Sequence, residues 1–154
     1  MKAEFMNPFL HATKDVFQQM MSLDIARGTI ELRSDFITGE DANVLIGVVG
    51  SVTGMVLYSF PKQTALEMVK SLSGMEMNDL DMFVTSALGE VSNIISGNAL
   101  SYLSKANYAC DIAPPQILLG TAQSITVAAP QSLYVGLSSP VGDFSVHVAL
   151  AEKQ

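Results

Sequence analysis

Hydrophobic and polar positions change their spacing several times along this chain, and each change marks an element. Between Pro8 and Met21, Phe9, Ala12, Val16 and Met20 recur near one face, with Thr13, Phe17 and Met21 beside them. That spacing predicts an amphipathic helix. Asn7 and Pro8 supply its start, since Asn can cap and Pro fits a first helical position whose N–H needs no partner. Gly28 to Arg33 alternates and predicts a strand. Asn43–Gly50 and Met55–Phe60 are nearly continuous apolar runs around a turn at Ser51 to Gly54, and predict a hairpin of two largely buried strands. Pro61 opens the next helix, which reaches Leu72 and stops at Gly74.

A long central helix follows. Asn78, Asp79 and Asp81 start it, with the acids near the positive end of its dipole, and the pattern continues to Lys105. At about 100° per residue, Val84, Leu88, Val91, Ile95 and Tyr102 form an apolar stripe suited to packing on a sheet. Ser86, Glu90, Asn93 and Gly97 form the opposite side, with a carboxylate and a carboxamide three residues apart. Gly89 and Gly97 lie in the helix interior, where a glycine costs about 1 kcal/mol relative to alanine. A glycine so placed marks close packing or a contact, unless it is merely tolerated. Beyond the helix, Pro114-Pro115 predicts a rigid extended turn. Strands are expected at Gln116–Leu119, Ser124–Ala129, Ser132–Leu137 and Phe144–Leu150, the last two joined by the turn from Ser138 to Asp143.

Two short matches point to an internal repeat of approximately 1–75 and 76–154. Ile46-Gly47 with Gly54 to Leu57 overlays Val135-Gly136 with Gly142 to Ser145, hairpin on hairpin, and Phe9-Leu10 overlays Phe83-Val84. In that overlay Glu90 falls on Val16 and Asn93 on Gln19, so the first helix lacks the acid and any second site there should be inactive. The fold expected is α+β in two layers: one largely antiparallel sheet with long helices packed on it, and the polar stripe of the central helix exposed.

Composition narrows the function classes. A chain of 154 residues favours one domain with a substantial core, and 49% hydrophobic against 15% charged residues excludes a disordered chain. The formal charge of −7, without a basic stripe, argues against nucleic-acid binding. No apolar run has the length of a membrane span, and Met1 to Glu4 lacks the apolar core of a signal peptide, so a cytoplasmic protein is expected. The lone Cys110 forms no internal disulfide and has no metal-ligand spacing around it. The modest charge content leaves apolar surface for a subunit interface.

The usual hydrolytic devices are missing from the sequence. It has no Gly-x-Ser-x-Gly elbow, no Gly-x-x-x-x-Gly-Lys loop, no His/Cys cluster, and two isolated histidines. His147, in an alternating strand, reads as a structural or surface polar group, and His11 as a solvated helix residue. Glu-x-x-Asn on a helix is by itself a common solvated pair. The longer string is more specific: Ala87-Leu88-Gly89-Glu90, Asn93 and Gly97-Asn98-Ala99 resemble the signature helix of the CheC/CheX/FliY family of chemotaxis phosphatases, and most of all its CheX-like members. The resemblance spans essentially the whole chain in length and element order, with its discriminating residues in 86–99.

That resemblance implies a CheC-like fold and a protein substrate, the phosphorylated form of a CheY-type response regulator whose aspartyl phosphate and bound Mg2+ form most of an active site. The helix would be inserted against it. Asn93 would orient the attacking water, and Glu90 would pair with the regulator's active-site lysine. Ser86, which matches the family's Ser or Asp four residues before the Glu, and Gly97 would contact the partner. A proline after the helix is met by Pro114 or Pro115, with a role in loop rigidity. The chain itself would bind no cofactor or metal, and CheX-like members with one site per chain are expected to be homodimers. The alternative within the family is a non-catalytic adaptor for a regulator or a flagellar-switch component. A small-ligand domain, the third class, would need a concave polar pocket.

Overall fold

The two buried hairpins meet at the centre of one antiparallel sheet. The structure, a computed structural model, describes residues 3–120 and 124–153, and within its strands the side chains other than those of 34–38 and 124–130. Met1 and Lys2 of the N-terminal stretch therefore lie outside the described residues. A 3-10 turn, Ala3–Phe5, leads into α1 (Asn7–Met21), then β1 (Ala26–Thr38), β2 (Ala42–Gly50), β3 (Val52–Phe60) and α2 (Lys62–Ser73). The second half contributes α3 (Met82–Lys105), β4 (Cys110–Ile112), β5 (Gln116–Leu119), β6 (Ser124–Ser139) and β7 (Gly142–Glu152).

The strand order is β1-β6-β7-β3-β2-β4, with β5 also paired to β2. Hairpin β2–β3 thus lies against hairpin β6–β7 through the β3–β7 ladder, in which Val56 faces Val148 and Tyr58 faces Val146. The flanking strands are exchanged: β1 of the first half pairs with β6, and β4 and β5 of the second half pair with β2. Register lines up rows of apolar residues across the sheet. Ile46, Val56, Val148 and Leu133 form one such row, and Val44, Tyr58, Val146 and Val135 the next. All eight are buried against the helices in the main core. Because strand side chains alternate, the neighbouring row of Leu45, Leu57, His147 and Tyr134 belongs to the other face, where Leu57 and Ala149 are buried as a smaller cluster.

The structure corrects the sequence-based boundaries at several points. Asn7 does not cap α1: it lies within the helix, after Met6 in helical dihedrals, because the Ala3–Phe5 turn already runs into it. Asn78 and Asp79 lie in the loop before α3, and only Asp81 caps it. The two strands expected at Ser124–Ala129 and Ser132–Leu137 are one strand, β6, with a register break opposite Ser34 and Phe36 that accommodates Pro130. The turn of the first hairpin is tighter than expected, since β3 resumes at Val52. Gly54 stands inside that strand at φ +144°, and a Cβ there would run into the Ala149 carbonyl of β7. β4 was not foreseen. Finally, α3 packs along α1 as well as on the sheet, where it meets β2, β4 and β5.

Candidate active site on the central helix

α3 is held from three sides. Its start is fixed by Asp81, whose Oδ1 accepts a hydrogen bond from the Val84 N–H at 2.9 Å, satisfying one of the open donors of the first turn. Val84, Leu88, Val91, Ile95, Ala99 and Leu103 are buried along its inner side. Four of these belong to the predicted apolar stripe. The fifth predicted member, Tyr102, is only partly buried, and its hydroxyl donates to Asp15 Oδ2 on α1 at 2.7 Å. That bond raises the Tyr102 pKa above its ordinary value. Beneath the helix, the buried Tyr58 and Ser96 hydroxyls share a hydrogen bond of 2.9 Å, and burial pushes the Tyr58 phenol well above its usual pKa. Small residues let α3 approach its neighbours closely: Ser92, Ser96 and Ala99 are all buried.

The outer side is the predicted polar stripe. Ser86 and Glu90 are exposed, while Asn93 and Gly97 are half-buried. Three positions apart, the Glu90 and Asn93 side chains leave the helix about 4.5 Å apart along its axis. Neither has a hydrogen-bond or ionic partner among the described residues. The pair therefore presents a carboxylate and a carboxamide to the outside with their bonding capacity unspent on the chain itself.

The two interior glycines differ. A Cβ on Gly89 would lie 3.4 Å from Ile117 Cδ1 and 3.8 Å from Pro115 Cγ, so Gly89 marks where the β4–β5 connection presses on the helix beside Glu90. Pro115 thus lies against the helix next to the stripe. A Cβ on Gly97 would meet nothing within 4 Å. The overlay of the first helix on the third places Val16 at the position of Glu90, and Val16 is 1% exposed.

The other chemically capable residues lie apart from this stripe. His11 is exposed, with its ring 5.8 Å from that of Tyr102. His147 is buried on the sheet, its Nε2 3.4 Å from Ser145 Oγ, which settles it as a structural residue. Cys110 is a half-buried thiol on β4. Among the described residues, no group of three His, Cys, Asp or Glu side chains could hold a metal ion, and no helix is long and apolar enough to cross a membrane. Sequence reasoning missed Met82 and Phe83. Both are exposed on the first turn of α3, although hydrophobicity alone assigns them to a core.

Known proteins share this fold. The family model described as "Chemotaxis phosphatase CheX" matches residues 42–137. The CheY-P phosphatase CheX of Thermotoga maritima is 27% identical over 97% of each chain. A CheC-like superfamily protein from Shewanella sp. PV-4 superposes with a TM-score of 0.89 at 27% identity, covering 98% of this chain and 99% of that one. In a CheX–CheY–BeF3–Mg2+ complex from Borrelia burgdorferi, the similar chain has a TM-score of 0.81 at 31% identity, over 96% of this chain and 98% of that one. The extent of the family match establishes that this chain belongs to the CheX family of chemotaxis phosphatases.

Proposed function

We propose that this protein dephosphorylates the aspartyl phosphate of a CheY-type response regulator, with α3 docked against the regulator's active site. The observation that carries the reading is the pair of an exposed Glu90 and a half-buried Asn93, one helical turn apart and uncommitted among the described residues, on the helix of a CheX family member. Asn93 holds a water through its amide, which both donates and accepts, and orients it in line with the phosphorus–oxygen bond. The water oxygen forms the new bond to phosphorus, and the bond to the aspartyl carboxylate breaks. The products are the free carboxylate and inorganic phosphate. Glu90 pairs with the regulator's lysine and sets the docking register through a charge-assisted contact. Ser86 and Gly97 meet the partner on the same stripe. Mg2+ arrives with the regulator and neutralises phosphoryl charge there, as the composition of the Borrelia complex supports. Acyl phosphates are labile, so positioning worth a few kcal/mol is enough to shorten their lifetime.

A substrate of this kind supports a cytoplasmic location. We propose also that it is a homodimer. Exposed Leu32 on β1, at the edge of the sheet, supports an interface there. Light scattering at twice the chain mass would bear this out, and a single-chain mass at every concentration would exclude it.

The test is the decay of a phosphorylated CheY-type regulator in Mg2+, with and without the protein. Wild type is expected to accelerate decay, Asn93→Ala to abolish the acceleration, and Glu90→Ala to weaken binding and rate together. Binding without a change in lifetime would make the protein an adaptor. Absence of both across several regulators would sink the proposal.

A further inference from the structure

The exposed stripe of α3 does not begin with polar residues. Its first turn carries Met82, 82% exposed, and Phe83, 48% exposed. At about 100° per residue they flank the sector that holds Ser86, Glu90, Asn93 and Gly97, one on each side by about 20°. Two acids of the preceding loop are engaged by α2, although they remain exposed. Glu76 pairs with Lys70 at 3.8 Å and Asp79 with Lys62 at 3.6 Å, both lysines being on α2, while Asp81 folds onto the backbone of its own helix. The loop's acids are thus paired within the chain, while Met82 and Phe83 stand exposed with no such partner among the described residues. The internal overlay sharpens the contrast, because Phe9, the counterpart of Phe83, is fully buried.

A single exposed apolar side chain carries no message, but two adjoining ones at the head of a functional stripe do. We infer that Met82 and Phe83 form a docking corner that recognises an apolar patch on the phosphorylated regulator, about 15 Å from its phosphoaspartate. The distance follows from ten or eleven residues of helical rise between the corner and Asn93. This inference rests on the proposed function and deepens it. A helix is a rigid rod. For Glu90 and Asn93 to address one partner together, the stripe has to lie along that partner, which brings the Met82–Phe83 turn onto the same surface. The corner is thus continuous with the phosphoryl-directed face. Met82, unbranched and polarisable, suits a contact that adapts to a partner surface. Such a contact acts equally before and during the reaction, so it sets affinity and selectivity between regulators rather than the chemical step.

The experiment measures dephosphorylation over a range of regulator concentrations, for wild type, Met82→Ser, Met82→Leu and the Met82→Ser/Phe83→Ser pair. Titration of the beryllofluoride-activated regulator is measured alongside. Met82→Ser should raise KM and Kd about three- to tenfold with kcat little changed, and Met82→Leu should restore most of the loss. Thermal melting of Met82→Ser should match wild type, since that side chain stands in solvent. Unchanged KM and Kd in the serine variants, with wild type active, would overturn the docking corner and leave the proposed function standing. A fall in kcat alone would also overturn it. A wild type that neither binds nor dephosphorylates the regulator would overturn both.

Discussion

Gly97 is the residue on the exposed stripe whose missing side chain the chain itself does not explain. Gly89 has Ile117 and Pro115 against it, but a Cβ at Gly97 would enter open space. The substitution Gly97→Ala should therefore stabilise α3 by about 0.5–1 kcal/mol, raising the melting temperature by about 1–4 °C. On the proposed function the same methyl group stands where the regulator must approach, so the KM for dephosphorylation should rise. Opposite signs in melting and in KM would separate a docking glycine from a tolerated one, whereas higher stability with unchanged KM would remove Gly97 from the interface. Ser86, Glu90, Asn93 and Gly97 were legible in the sequence because helical spacing alone puts them on one side. Met82 and Phe83 were not, because hydrophobicity says that a side chain prefers burial and not whether anything is present to bury it.

Among the elements, α3 depends on a cap that the sequence announced and the structure narrowed to one residue. Asp81→Ala removes the bond to the Val84 N–H and a negative charge near the helix start, and should cost about 1 kcal/mol in urea unfolding. An unchanged midpoint would show that the loop before α3 holds the first turn without it. Hairpins and helix stops were legible for a related reason: Gly74, at φ +74°, and the turn before Gly142, at φ +127°, demand local conformations that few other residues adopt. Where an element is decided by distant partners, the sequence was less informative. Three residues, Cys110 to Ile112, become β4 only because the edge of β2 is there to pair with. The strands expected on either side of Pro130 are one, β6, because β1 pairs with both sides. Asn7 looked like a cap because the turn formed by Ala3–Phe5 carries no pattern long enough to read.

At the scale of the whole molecule, His147 ties stability to pH. It is 2% exposed on the second face of the sheet, with its Nδ1 unpartnered among the described residues. The Tyr134 ring lies 4.8 Å away, and the Arg33 guanidinium sits over that ring. Burial first, and then Arg33, lower its pKa from 6.5 to about 4. The folded state therefore binds the proton less readily than the unfolded state. The resulting stability is complete above pH 6.5 and fades as pH falls towards about 4. The loss is on the order of 3 kcal/mol at about 1.4 kcal/mol per unit. Melting curves across that window should show the slope, and His147→Gln should flatten it; an identical slope in the variant would assign the acid sensitivity to other groups. The exchange of flanking strands has a different kind of consequence. β1 completes the hairpin of the second half, while β4 and β5 complete that of the first, so neither half has a finished sheet by itself. Pairing between residues a hundred positions apart makes for slow folding, and a ribosome must release most of the chain before the β3–β7 seam can close. The same arrangement makes the molecule divisible: cut in the exposed loop after Gly74, two inert fragments would regain structure only on meeting each other, turning the seam into a sensor of their encounter.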